Sequence, residues 1–338
     1  MSVAVESHAR IGEVAAAEWD AVVAAADAPV FYRHRFLTAY EAAPLQPVEE
    51  FVYLVAREQG TGRPRAVLPL YLIPWTDPLG VLAPLVPEER RRRLLLTHVW
   101  HWYDTRLPAV DLDEELVAAL CEEIRTIGRD AGAATYAFVN VADERRLVRL
   151  LERSGATVVP RERRFLLPLE RFGSLEGYLA SLRSSARKNL GRYARRARDA
   201  AVEIRIDEPP VEDVAGVVSL CRRVASKHGN EAYYPAEPLT ALLENAVPEL
   251  RVIRLELGGR SIAVSICFLD GRRFHTWAGG ADYGAGDRFS PNYVLFHEEV
   301  RLAFRSGCAV LEGGRRNETF KLRYGMRPVE LYACVGSA

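Results

Sequence analysis

Two side chains in the last quarter of the chain could remove a proton from a reacting group. Glu312 follows the apolar run AVL and precedes two glycines, and a carboxylate at a strand end inside a cleft can act as a base. His275 lies in the alternating run RRFHTWAGG beside Trp277. A single histidine on a strand is more often a hydrogen-bonded core residue, so both assignments are hypotheses that require a cleft.

A strongly basic segment could bind phosphate groups. In SLRSSARKNLGRYARRAR (181–198) seven of the eighteen residues are Lys or Arg, and no acid occurs before Asp199. Such a run can be only a solvated helix face. Alternatively it is a platform for the phosphates of a carrier molecule, because Arg and Lys make many of the contacts to phosphate in proteins. The residues that we assign to this role are Arg183, Arg187, Lys188 and Arg192.

A predicted helix start at Ser290 offers a second anion site. Ser290 is a good N-cap residue and Pro291 suits the first helical position, which leaves backbone N–H groups at the positive end of the helix. We predict that Ser290, Asn292 and Tyr293 bind part of an anionic ligand. The preceding stretch ADYGAGDRFS could let backbone approach that ligand or form a plain surface loop.

Lys321 lies in a basic turn, GGRRNETFKLRYG (313–325), directly after the run that contains Glu312. We predict that it binds a phosphate or a carboxylate. The alternative is a surface ion pair with Glu318 or Glu330.

Aromatic residues suggest a wall for a substrate cleft. Trp102 and Tyr103, in THVWHWYDT, and Trp277 are assigned to this wall, with core packing as the alternative. His98, His101 and Asp104 in the same segment are too few and too loosely spaced to predict a metal site, so none is predicted.

Composition limits the class of protein. The 338 residues predict two domains, and 45 basic residues balance 45 acidic ones, so no overall charge favours DNA. The five scattered cysteines predict neither a disulfide framework nor a zinc site. We find no signal-peptide pattern and no long apolar run, and we expect a cytoplasmic protein without a membrane span.

The elements that must position these residues occur twice in the same order. Two helices, a hairpin, a helix and a strand follow one another in both halves, which predicts duplication of one α/β unit. We predict an N-terminal domain over 1–165 and a C-terminal domain over 166–338 that carries the active site. The segment 177–201 reads as one long helix at the start of the second domain.

The segments FLLPL, SLRSSARKNLGRYARRA and YGAGDRFSPNYVLFHEEVRLAFRSGCAVLEGGRRNETFKLRYGMRPVELY together resemble the Fem-like branch of the GNAT superfamily, including proteins described as cellulose-biosynthesis acetyltransferase-like. The resemblance covers residues 160–335 and implies two tandem GNAT folds with mixed sheets. It also implies that the basic helix and Lys321 correspond to donor-binding positions, and that the donor lies where neighbouring strands splay, for which we expect SIAVSICFL and RRFHTWAGG.

The resemblance implies an acyltransferase that joins an acyl or aminoacyl group to a small amine without a tightly bound cofactor. The chain lacks the Q/R-x-x-G-x-G/A loop of common acetyl-CoA enzymes and the coiled-coil arm of cell-wall Fem enzymes. The donor is therefore left open between acyl-CoA and aminoacyl-tRNA. Two alternatives of another class are a non-catalytic RNA- or carrier-binding module and a scaffold.

Overall fold

The computed structural model describes residues 3–142, 145–245, 247–285 and 289–338, with only the backbone at 145. The chain divides into two compact units, 1–163 with 330–338, and 164–329. This division lies close to the predicted one at 165/166 but differs at the C-terminus. The final residues lie in the first unit because their strand hydrogen-bonds there.

The first part of the chain alternates helices with strands. In chain order its elements are β1 (Val3–His8), α1 (Ala16–Ala25), α2 (His34–Ala42), β2 (Glu50–Glu58), β3 (Pro64–Pro74), β4 (Arg93–Leu96), α3 (Glu114–Asp130), β5 (Thr135–Ala142), α4 (Arg145–Arg153) and β6 (Thr157–Pro168). Strand β6 crosses the division between the units.

The rest of the chain repeats this order after two consecutive helices. Its elements are α5 (Leu175–Ser181), α6 (Ser184–Asp199), β7 (Glu203–Asp207), α7 (Val214–Lys227), α8 (Ala236–Glu244), β8 (Leu250–Leu257), β9 (Arg260–Asp270), β10 (Arg273–Ala281), α9 (Pro291–Arg305), β11 (Val310–Arg315), α10 (Glu318–Arg323) and β12 (Arg327–Ser337).

The strand orders of the two units correspond to one another. The first unit has the order β1-β2-β3-β4-β5-β12, and the second has β7-β8-β9-β10-β11-β6. In each unit the fourth and fifth strands are parallel, and the other registered pairs are antiparallel. The predicted α/β fold with mixed sheets and internal duplication is confirmed. The sixth strand of each unit comes from the other half of the sequence. Strand β6 follows β5 in the chain but pairs with β11 of the second unit, and β12 follows β11 in the chain but pairs with β5 of the first unit.

The segment 177–201 is divided between two helices, α5 and α6, rather than forming the single predicted one. Leu182 and Arg183, between α5 and α6, have extended backbone with ψ of 147° and 142°. Leu182 is buried in the core of the second unit with Leu190 and Phe296, so the break turns an apolar side chain inward. Sequence periodicity alone does not reveal that requirement.

Helix α9 positions much of the candidate site. Its buried residues include Val294, Phe296 and Val300, which join the core of the second unit. Pro291 occupies its first turn, as predicted, where a missing N–H costs no helical hydrogen bond. None of the helices in the described part of the chain is long and apolar enough to cross a membrane.

Candidate functional site

Strands β10 and β11 separate partway along their length. Arg273–His275 pair in register with Val310–Glu312, and among the described residues the β10–β11 register extends no further. Strand β10 shifts register against β9 between Thr276 and Ala278 at the same level. The Thr276 hydroxyl donates to the carbonyl of Glu312 at 2.9 Å, which closes the paired end of the opening.

The opening is one strand away from the position that we expected. Strands β9 and β10 stay paired from Asp270 and Arg273 to Ala263 and Ala281, so no cleft separates them. They are consecutive antiparallel strands joined by a short turn, which holds them together. Strands β10 and β11 are parallel and joined through α9, so no hairpin holds their far ends together.

A cavity of about 400 Å³ occupies this opening within the second unit. Residues 276–281 of β10 form one side, and α9 and α10 contribute others. Its apolar walls include Tyr234, Trp277, Leu295, Phe296, Phe320 and Met326. Polar groups converge on it from Ser265, Asn292, Glu299, Arg315 and Lys321. A concave space with apolar walls and a few converging polar groups is typical of a small-molecule site.

Among the residues that the structure describes, Glu299 is the carboxylate that lines this cavity. It lies on α9, and its Oε1 accepts a hydrogen bond from the Ser265 hydroxyl at 2.6 Å. Burial raises the pKa of Glu299 to about 7, against the opposing effects of the Ser265 hydrogen bond and the Lys321 charge. A carboxylate with this pKa can both accept and release a proton near neutrality. Sequence analysis did not select Glu299.

Lys321 lies in the same cavity and is only 7% exposed. Its Nζ donates to the carbonyl of Gly314 at 2.9 Å and to the carbonyl of Arg315. Burial lowers the pKa of Lys321 to about 8, while Glu312 and Glu299 oppose that effect. Instead of a surface pair with Glu318 or Glu330, two backbone carbonyls hold the ammonium, and the residue lines the cavity.

Glu312 and His275 lie side by side at the last paired position of β10 and β11. They are 2% and 1% exposed, and neither lines the cavity. Glu312 forms a 2.9 Å ion pair with Arg164, and His275 Nε2 lies 3.8 Å from a carboxylate oxygen of Asp270. The structure thus places both predicted bases in the core, because the end of pairing is buried beneath the opening.

The start of α9 reaches the cavity through one of its three predicted residues. Asn292 lines the cavity and donates to the Tyr283 hydroxyl at 2.7 Å. Ser290 is the N-cap residue, although its side chain makes no capping hydrogen bond. The Tyr293 ring packs against Tyr193, with 4.7 Å between centroids. Residues 286–288 of the preceding loop lie outside the described residues.

The four basic residues of the segment 181–198 that were assigned to phosphate binding are exposed and lie outside the cavity lining. Helix α6 buries Ala186, Leu190 and Ala197 and turns Arg187, Lys188 and Arg192 to solvent, while Arg183 precedes its first residue. The Arg192 guanidinium lies 4.9 Å from the Tyr193 ring centroid, and Tyr193 contacts Tyr293 of α9. This contact brings one basic side chain close to the start of α9.

The predicted aromatic wall divides between the two units. Trp277 lines the cavity of the second unit. Trp102 and Tyr103 lie in the core of the first unit, where the Trp102 ring stacks on Phe31 at 4.3 Å. In the same segment, THVWHWYDT, burial lowers the pKa of His98 to about 3. No group of His, Cys, Asp or Glu suited to a metal ion occurs among the residues that the structure describes.

Residues 184–322 match the family described as the acetyltransferase (GNAT) domain. This segment runs from α6 into α10 and contains most of the cavity lining, including Glu299 and Lys321. No curated protein sequence matches the chain.

Solved structures with similar folds cover nearly the whole chain. FemX is 11% identical, with a TM-score of 0.64, over 97% of this chain and 96% of FemX. A tandem GNAT protein from the clavulanic acid biosynthesis pathway is 11% identical, with a TM-score of 0.61, over 99% and 98% of the two chains. The C-terminal domain of a putative lysylphosphatidylglycerol synthetase from Agrobacterium fabrum is 14% identical, with a TM-score of 0.58, over 94% and 91%. The chain therefore carries a GNAT acetyltransferase domain at 184–322 and has the tandem GNAT fold of the Fem-like proteins that its sequence resembles.

Proposed function

We propose that the second unit is an N-acyltransferase that moves an acyl or aminoacyl group from a carrier to a small amine. The observation that carries this proposal is the presence of Glu299 and Lys321 in one cavity where β10 and β11 separate. One group can take a proton near neutrality and the other presents a positive charge. The GNAT domain match and the shared fold support the same class of reaction.

The reaction requires one bond to form and one to break. The amine nitrogen attacks the acyl carbonyl carbon, forming the C–N bond, and Glu299 accepts the proton that the nitrogen loses. Lys321 stabilises the negative charge on the carbonyl oxygen with the N–H that the two backbone carbonyls do not use. The carrier then leaves as its thiolate or alkoxide with the C–S or C–O electron pair, and takes the proton from Glu299.

For the donor, we propose that the acyl arm enters between β10 and β11 and that its carrier phosphates bind near the start of α9. Ser290 and Asn292 lie at that helix end, and Arg192 approaches it through the Tyr193–Tyr293 contact. Arg183, Arg187 and Lys188 extend the basic surface along α6. Both coenzyme A and charged tRNA carry phosphates that suit this surface.

A titration distinguishes the two donors. The purified protein is titrated with coenzyme A thioesters and with charged tRNA at two salt concentrations. Saturable thioester binding identifies an acyl-CoA enzyme. Strongly salt-dependent binding of charged tRNA identifies the other class, because each neutralised phosphate steepens the salt dependence.

Substitution of Glu299 tests the catalytic proposal. We expect Glu299→Gln to lower turnover about 100-fold or more while donor binding stays within about twofold, because a general base acts in the chemical step. Glu244→Gln, at an exposed position at the end of α8, is the control and should retain full turnover. Equal turnover of the two variants would remove Glu299 from the mechanism.

The second candidate is a non-catalytic module that binds RNA or a carrier. The observation that favours it is the exposed basic face of α6, which lies outside the cavity. In that case Arg187→Ala and Lys188→Ala should weaken RNA binding and reduce its salt dependence, and no acceptor amine would be consumed with any donor.

A further inference from the structure

One serine interrupts a row of small apolar side chains on β9. Alternate residues of a strand point to the same face of the sheet, so Ser265 shares its face with Ala263 and Cys267. Those two neighbours are buried in the core of the second unit, and Ser265 is only 3% exposed. A buried hydroxyl costs free energy unless a partner satisfies it, so the partners of Ser265 explain its place in this row.

The Ser265 hydroxyl connects Cys267 with Glu299. Its Oγ lies 2.6 Å from Oε1 of Glu299 and 3.3 Å from Sγ of Cys267. An ionised carboxylate can only accept hydrogen bonds, so the single hydroxyl proton is donated to Glu299. The thiol must then donate to Ser265 Oγ. It keeps its proton, because burial and the charge of Glu299 raise the pKa of Cys267 well above its usual range.

The direction of these bonds distinguishes the two carboxylate oxygens of Glu299. Among the residues with a described structure, only Oε1 of this side chain receives a hydrogen bond. That bond ties the carboxylate, which α9 carries, to β9. Since Glu299 lines the cavity and Oε1 is engaged by Ser265, Oε2 is the oxygen that can meet a ligand.

We propose that Ser265 is a positioning residue that holds Oε1 of Glu299, so that Oε2 takes the proton from the acceptor amine. This inference rests on the proposed N-acyltransferase function. The amine nitrogen forms the C–N bond with its lone pair, and the electron pair of the broken N–H bond stays on nitrogen. Ser265 keeps its own proton throughout, so the carboxyl group stays in place between accepting and releasing the substrate proton.

The same hydrogen bond should set the proton affinity of Glu299. Burial raises the pKa of Glu299, and the Ser265 hydrogen bond and the charge of Lys321 on α10 oppose that rise. The other basic side chain in the described cavity lining is Arg315 on β11. Cys267 stays neutral, and Lys321, with a pKa of about 8, is mostly protonated where Glu299 titrates. Loss of the hydroxyl should therefore move the titration of Glu299 to higher pH.

Carboxyl NMR of the whole chain tests the inference without any substrate. Glutamate is labelled with carbon-13 at its side-chain carboxyl, and the Glu299→Gln variant identifies the Glu299 signal. We expect Ser265→Ala to raise the midpoint of its titration. Ser265→Thr, whose extra methyl group has the cavity beside it, restores the hydroxyl and should return the midpoint close to the wild-type value. Ser261→Ala is the matched control and should leave it unchanged, because Ser261 lies on the same strand but donates to Asp213, outside the cavity lining.

Turnover of the same variants separates this inference from the proposed function. We expect kcat/KM of Ser265→Ala at pH 6 to fall about tenfold, because less of Glu299 is ionised there, while donor affinity stays within about twofold. An unchanged Glu299 midpoint in Ser265→Ala would overturn the inference, whatever the turnover. A raised midpoint in a chain that transfers no acyl group would support the role of Ser265 and contradict the proposed function.

Discussion

Two side chains with displaced pKa values define the candidate chemistry at the scale of residues. Burial is the main cause of both shifts, and it raises the pKa of Glu299 to about 7 and lowers that of Lys321 to about 8. The proposed mechanism requires the carboxylate form of Glu299 and the ammonium form of Lys321. These forms coexist mainly in the interval between the two values.

The rate should therefore depend on pH as a bell. We expect kcat/KM to rise as pH increases through about 7, where Glu299 loses its proton, and to fall above about 8, where Lys321 loses its own. Lys321→Arg should keep the acidic limb and lose the alkaline one, because a guanidinium stays protonated. A profile that is flat between pH 6 and 9 in the wild-type chain would contradict these roles.

Sequence analysis could identify Lys321 but not Glu299, for a reason of geometry. Lys321 stands in a distinctive basic turn, whereas Glu299 has an identical neighbour in LFHEEVRL. Successive helical residues point about 100° apart, so one of the two reaches the cavity. Glu298 pairs with Arg301 and His297, while Glu299 contacts Ser265 on β9. Only the position of β9 distinguishes the two glutamates.

At the scale of elements, β11 is connected to α10 by a series of polar contacts. Glu312 pairs with Arg164 and accepts from the Gly314 N–H at 3.3 Å, and the Gly314 carbonyl accepts from Lys321. The φ of +69° at Gly314 is readily adopted by glycine. We therefore propose that Glu312, first considered as a base, positions Lys321.

Loss of the Glu312 charge should affect both stability and the alkaline limb. We expect Glu312→Gln to lower the free energy of unfolding by about 3 kcal/mol or more, because the buried Arg164 loses its ion pair with Glu312. The alkaline limb of kcat/KM should move to lower pH, since Glu312 is the main charge that raises the pKa of Lys321. Denaturant unfolding and pH–rate profiles measure the two effects.

A neighbouring exposed ion pair provides the control. Arg163 and Glu330 lie 2.6 Å apart with both side chains substantially exposed, so Glu330→Gln should cost about 1 kcal/mol or less. An unchanged alkaline limb in Glu312→Gln would show that Glu312 does not position Lys321.

The elements themselves were largely predictable, and their pairing was not. The runs SIAVSICFL and RRFHTWAGG indicate strands, and both form as β9 and β10. The alternation of apolar residues does not show with which neighbouring strand each strand stays paired along its whole length. The candidate site lies between β10 and β11. This parallel pair has no hairpin to hold it together and separates, whereas the antiparallel pair β9–β10 stays paired.

At the scale of the whole molecule, the exchanged strands limit what sequence order can predict. Repeated elements indicate two similar units, but they do not show that β12 joins the first of them. The strand pairs with β5 from Leu331 and Ala142 to Ser337 and Thr135. All eight residues of β5 are buried. Strand β12 therefore covers the edge of a buried strand that would otherwise be available to pair with another chain and aggregate.

Removal of residues 330–338 should therefore destabilise the first unit. We expect the truncated chain to lose its cooperative unfolding transition at residues of that unit and to aggregate, as measured by hydrogen exchange and light scattering. Adding a peptide of residues 327–338 should restore protection of the β5 amides. Native protection of β5 in the truncated chain without the peptide would show that β12 is dispensable.

The exchange also bears on the order in which the units are completed during synthesis. Residues 164–329 are contiguous, so the second unit has all of its strands, including β6, once that stretch has left the ribosome. The first unit is translated earlier but has to wait for β12, which follows the entire second unit. Domains usually fold in N-terminal-first order, but here the first unit is completed after the second. The first unit therefore stays incomplete for longer during synthesis and is more exposed to cellular chaperones.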